Sequence, residues 1–177
     1  MLCKELIKHR FTVQTPLQQA KWHYYSAVCA YIQEDYTTVN HHLAETISLK
    51  KDREGWHFNI RLLKVLTAID ADDSALALEE IEHLRNFYYN KQGLNARQKA
   101  ILLTLLSLTT NYDLELTKKL HAKSLQKLRE QKGWYKWQSR TPELIIFDVW
   151  IDQRVEGIHY HLDNYKFMRK SYGYKVK

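Results

Sequence analysis

The amino-acid sequence predicts an all-α fold, and three observations carry that prediction. Five glycines and two prolines in 177 residues are too few for the turns of an all-β or βαβ chain. Apolar residues recur at spacings of three and four, as in Ala77, Ile81 and Leu84, which places them on one side of a helix. Side chains able to cap a helix stand ahead of most of these apolar stretches. A chain of this length, 45% hydrophobic and 27% charged, suits one core, so a single domain over residues 1–177 is expected.

Each helix has its own start or stop signal. Thr15-Pro16-Leu17-Gln18 combines an N-cap, a proline at the first helical position and a glutamine that can complete a capping box, so a helix is expected from Pro16 to about Gln33. Asp35 can cap a helix from Tyr36 to about Lys50, Asp52 one that runs to about Asp70, and Asp72 the next, which Gly93 would end. Asn95-Ala-Arg-Gln98 repeats the capping-box pattern ahead of Ala100–Leu108, and a stop is expected near Asn111. Asp113 would cap a helix to about Lys132, closed by Gly133. Thr141-Pro142-Glu143 opens the last, with Leu144, Phe147, Ile151, Val155 and Ile158 along one stripe to about residue 168.

Several function classes find no support in the residues. Cys3 and Cys29 have neither metal spacing nor disulfide density, and Cys29 sits in an apolar helical pattern where a reduced thiol packs as a small hydrophobe. The first ten residues interrupt their apolar positions with charge too often for a secretory signal, so a cytoplasmic location is expected. Ala100–Leu108, the longest apolar run, is about half of the ~20 residues a membrane span needs, and no membrane partner is expected. Nine histidines include the neighbours His41 and His42, which diverge by roughly 100° on a helix. His23 and His57 belong to different helices, and no metal site or cofactor is expected. There is no phosphate-binding glycine loop and no Gly-x-Ser-x-Gly turn, so the chain reads as non-enzymatic, with no catalytic residue. Arg61, flanked by apolar residues, would need a carboxylate, with Asp35, Asp52 and Glu82 as candidates.

Residues 20–50 resemble a tetratricopeptide repeat: Ala27 holds the small position of its first helix, Asp35-Tyr36 its turn, and Leu43 the large apolar place in its second helix. Departures are Val39 and Thr46 for alanine, Ser26 for leucine and His23 for tryptophan. A weaker unit follows, with Ala77 lying 38 residues after Val39, against a family period of about 34. Repeat-like units are thus placed at about 16–50, 53–92 and 95–132, and the Trp134–Trp150 segment is similar to the C-terminal end of bacterial proteins of the same superfamily. The resemblance implies a stack of antiparallel helix pairs closed by a long C-terminal helix. It brings no known activity.

In such a stack the first helix of each pair lines a concave surface, which here would present Lys21, Tyr24, Val28, Tyr31 and Ile32 beside Asn59, Leu62, Leu66 and Ile69. The expected function is a protein-interaction module that takes an apolar helix or peptide in that groove. In the alternative, terminal segments cover these residues, or a second copy of the chain does. Charge supplies a second functional reading. The formal balance is +7, and Lys118, Lys119, Lys123, Lys127, Arg129, Lys132, Lys136 and Arg140 face a single acid, Glu130, between positions 118 and 140. With Trp134, Tyr135 and Trp137 interleaved, this segment has the ingredients for binding single-stranded nucleic acid or an acidic protein.

Overall fold

Thr15 and Pro16 open the first helix as their types demand: the Thr15 hydroxyl accepts from the Gln18 N–H, and Pro16 occupies the position where no N–H is needed. The computed structural model describes residues 15–46, 55–89, 93–130, 132–137 and 141–160. Among them are eight α-helices and no strand: α1 (Pro16–Ile32), α2 (Tyr36–Ala44), α3 (Trp56–Asp70), α4 (Ser74–Tyr89), α5 (Ala96–Ser107), α6 (Leu114–Leu120), α7 (Ala122–Arg129) and α8 (Phe147–Val155). A 3₁₀ turn spans Gly133–Tyr135. The chain packs as two compact units, Met1–Ala77 and Leu78–Lys177, with the boundary inside α4.

In the first unit α1 packs against α2, and both touch α3. Ala27, Val39, Leu43, Phe58, Leu63 and Val65 are buried there. The turns α1–α2 and α3–α4 are built alike. Glu34 and Asp72 take left-handed backbone, at φ 59° and 55°. Asp35 N–H donates to the Ala30 carbonyl at 3.0 Å, and Asp73 N–H to the Ala68 carbonyl at 2.9 Å. The Asp35 carboxylate then accepts from Thr38 N–H at 3.0 Å, as Asp73 does from Leu76 N–H at 3.0 Å. Every member of the second turn follows its counterpart by 38 residues, the offset that separates Val39 from Ala77. The cap of α4 is therefore Asp73, where the sequence pattern indicated Asp72; Asp72 instead supplies the left-handed residue that reverses the chain.

One other start differs from expectation, and one matches it in full. Gly55, at φ 85°, precedes α3, while Asp52, the expected cap, lies outside the described residues. Asn95 and Gln98 form the full reciprocal capping box at α5, with bonds of 2.8 and 3.1 Å.

In the second unit α5 packs on α6, α7 and the 3₁₀ turn, and α8 packs on α6 and α7. Ile101, Leu105, Leu125, Leu128, Phe147 and Trp150 are buried in this unit. The single helix expected from Asp113 to Lys132 is interrupted at His121 and ends at Arg129. His121 leaves helical geometry at φ −99°, ψ 15°; its N–H makes the last bond of α6, to Thr117 O at 3.0 Å, and its carbonyl accepts the first bond of α7, from Leu125 N–H at 2.9 Å.

The long C-terminal helix is the largest correction. Helical backbone begins at Phe147, not beside Pro142, and runs nine residues. Glu143 is drawn out of helix by Arg97: Arg97 Nε and Nη2 donate to its two carboxylate oxygens at 2.7 and 2.6 Å. Its Oε1 also accepts from Phe147 N–H at 3.2 Å, so the expected opening residue supports the helix from four residues upstream. At the far end Gly157 adopts φ 70°, and Ile158 N–H reaches Gln153 O at 2.8 Å, a Schellman ending. The remainder of the expected helix, 161–168, lies outside the described residues.

Candidate interaction surface

The residues expected to line a groove sit mostly in the core. Tyr24, Val28, Tyr31, Asn59, Leu62, Leu66 and Ile69 are buried, and only Lys21 and Ile32 retain partial exposure. Their contacts explain why. Tyr24 meets the Trp56 ring edge-on at 5.6 Å, and Lys21 Nζ sits 4.7 Å from the same ring. Tyr31 OH donates to the buried Asp70 carboxylate, and the Asn59 amide donates to Gly55 O at 2.8 Å. Lining a concave surface would require these side chains to be open; they are buried instead. Arg61 is half-buried, and Asp35, one of its expected partners, lies at the surface on the α2 cap.

The basic segment is less uniform than its sequence. Lys118 and Arg129 both bind Asp152, Lys118 at 2.9 Å and Arg129 through two bonds of 2.9 and 2.6 Å. A hollow of about 510 Å³ opens beside this trio, lined also by Gln153 and Ile158. Lys119 pairs with Glu115 at 2.8 Å, and Lys132 with Glu130 at 3.6 Å. Lys123 and Lys136 are exposed, while Lys127 Nζ lies 5.5 Å from the Tyr135 ring. Arg140 lies outside the described residues.

What the sequence pattern missed is a pair of exposed leucines ahead of Lys123 and Lys127. The burial pattern runs on across His121: Thr117, Leu125 and Leu128 point inward, while Leu116, Leu120, Lys123 and Lys127, at i, i+4, i+7 and i+11, are all exposed on the outer side. Leu116 is 36% exposed and Leu120 65%. Lys127 ties the stripe to the 3₁₀ turn through Tyr135, and the next-door Trp134 is 86% exposed. Trp137 is the other kind of tryptophan, its Nε1–H donating to Glu143 O at 2.8 Å. Two tryptophans three residues apart in one basic stretch cannot be sorted into surface and core by spacing alone.

Two polar clusters also escaped the sequence reading. Arg97 Nη2 reaches Asp148 Oδ1 at 2.6 Å as well as Glu143, all buried in the second unit, and Nη1 donates to the half-buried Tyr135 O at 3.2 Å. Burial opposes the Arg97 charge, but Glu143 and then Asp148 hold it above its ordinary range; burial pushes Glu143 up, against the pull of Arg97. In the first unit His23 Nδ1 and His42 Nδ1 stand 3.1 Å apart, with the Trp22 ring edge-on to both. Desolvation lowers both pKa values. Glu45 partly offsets it at His23, and the neighbouring imidazoles add to it. Among the described residues, no group of three or more His, Cys, Asp or Glu side chains is placed to hold a metal ion.

No described helix is long and apolar enough to cross a membrane. Comparison of the chain with protein-family models, curated proteins and solved structures finds no match in any of the three.

Proposed function

We propose that the chain is a non-catalytic protein-interaction module of tetratricopeptide-like helix pairs, and that it binds through the outer face of α6 and α7 rather than through a groove between first helices. The carrying observation is the stripe Leu116, Leu120, Lys123 and Lys127 beside the exposed Trp134. Large apolar side chains left in water next to charged ones are what a partner's contact would remove. The matched turns at Glu34-Asp35 and Asp72-Asp73 support the repeat reading. The buried Cys29 thiol suits a reducing, cytoplasmic setting.

The test is photo-crosslinking of the whole chain in nuclease-treated lysate, with the reactive side chain placed at Leu120 or, as a control, at Ile32. Protein adducts from position 120 and none from 32 are the expected result. Adducts from 32 alone would return the binding site to the first helices.

Nucleic acid is the second reading, favoured by Trp134 standing between exposed Lys132 and Lys136. Its signature is a fluorescently labelled single-stranded oligonucleotide that the protein binds with a steep salt dependence and that Trp134→Ala releases.

A further inference from the structure

The stripe on α6 and α7 has two chemically different ends, and that asymmetry describes a partner. Leu116 and Leu120 form an apolar end one helical turn apart, and Lys123 and Lys127 a cationic end one turn apart. At 1.5 Å per residue the four would span about 16 Å if the axis ran straight through His121, the reach of three helical turns. Lys123 carries no ion pair among the described residues, and Lys127 rests on Tyr135, so both charges are available to an incoming anion. Lys118, Lys119, Arg129 and Lys132 are already matched to carboxylates.

A polyphosphate backbone fits this arrangement poorly. It needs an uninterrupted track of cations, and half of the stripe is leucine while four neighbouring cations are neutralised. An amphipathic helix fits better, since it can cover two leucines with one turn and set carboxylates against two lysines with the next. We infer that the α6–α7 stripe docks an acidic amphipathic helix of about three turns, its apolar residues on Leu116 and Leu120 and its carboxylates on Lys123 and Lys127. This rests on the interaction-module reading and names the chemistry of that module's partner. Tyr135, whose ring lies 5.5 Å from Lys127 Nζ, borders the cationic end, and its chain neighbour Trp134 is 86% exposed.

The experiment is a selection of random displayed peptides, about 16 residues long, against the full chain, followed by affinity measurement with synthetic versions of the winners. The expected winners carry apolar residues three or four apart, with Asp or Glu one to two turns away. Lys123→Glu/Lys127→Glu weakens them about tenfold or more, and so does Leu116→Lys/Leu120→Lys. All four positions lie on the outer face, and thermal melting of both variants checks that the fold is kept. Winners that need the leucines but lack acids, or that ignore the charge reversal, overturn this inference and leave the module reading standing. An absence of winners sensitive to either double variant overturns both. A single-stranded oligonucleotide or an anionic phospholipid vesicle that binds the same stripe more tightly than any peptide also overturns the inference.

Discussion

Arg97 holds both carboxylate oxygens of Glu143, a residue 46 positions further along the chain, at 2.7 and 2.6 Å in the interior of the second unit. The same guanidinium reaches Asp148, so one cation serves two buried acids. Replacing Arg97 with methionine strands both carboxylates. We expect a loss of about 3–5 kcal/mol in unfolding free energy, read by urea denaturation. Arg97→Lys should recover only part of it, because an ammonium cannot repeat the two-pronged contact.

The His23–His42 contact makes the first unit sensitive to acid. Both imidazoles have pKa values below the ordinary 6.5, with burial as the leading cause. The unfolded chain therefore takes up protons first as pH falls. Stability should be intact above about pH 6.5 and decline as pH drops through the depressed folded values. Glu45 opposes this and His41 reinforces it. Thermal melts between pH 8 and 5 should show the decline, and His42→Gln should flatten it. A melting temperature independent of pH in the wild type would refute the assignment.

Removing the Tyr31 hydroxyl tests the join between α1 and α3. Tyr31→Phe leaves the buried Asp70 carboxylate without that donor, at an expected cost of about 1–3 kcal/mol. The loss should shrink in Tyr31→Phe/Asp70→Asn, where no charge is stranded. A double-mutant cycle gives the coupling.

The matched turns predict matched energetics. Asp35→Ala and Asp73→Ala should each cost roughly 0.5–2 kcal/mol, since each removes the acceptor for one helix-start N–H. Glu34→Gly and Asp72→Gly should instead relieve left-handed strain of order 1 kcal/mol. Changes at one turn without counterparts at the other would show that the likeness is geometric only.

Local chemistry made most of the helices legible. Thr15-Pro16, Asp35, Asn95 with Gln98, and Asp113 all cap where their types and spacing indicated. Failures arose wherever a distant partner decided. Glu143 follows a proline in a good helix-start pattern, but the bond to Arg97 outweighs that preference. Nothing in the sequence near His23 points to His42, because the pairing depends on how α1 crosses α2. The burial of the expected groove residues was hidden for a related reason: spacing places Tyr24, Leu62 and Leu66 on one face of each helix but does not say whether that face is covered. Leu116 and Leu120 carry no signal of their own in the sequence, and only their exposure distinguishes them from core leucines.

The identity of the two turns makes them interchangeable joints. Residues 35–72 begin just after one left-handed residue and end on its equivalent, with the same carbonyl five residues before each cap accepting the same bond. A tandem duplication of that 38-residue segment after Asp72 would splice ends whose backbone conformations already agree. The seam would then need no designed linker, and folding of the lengthened chain would test whether the two turns are interchangeable.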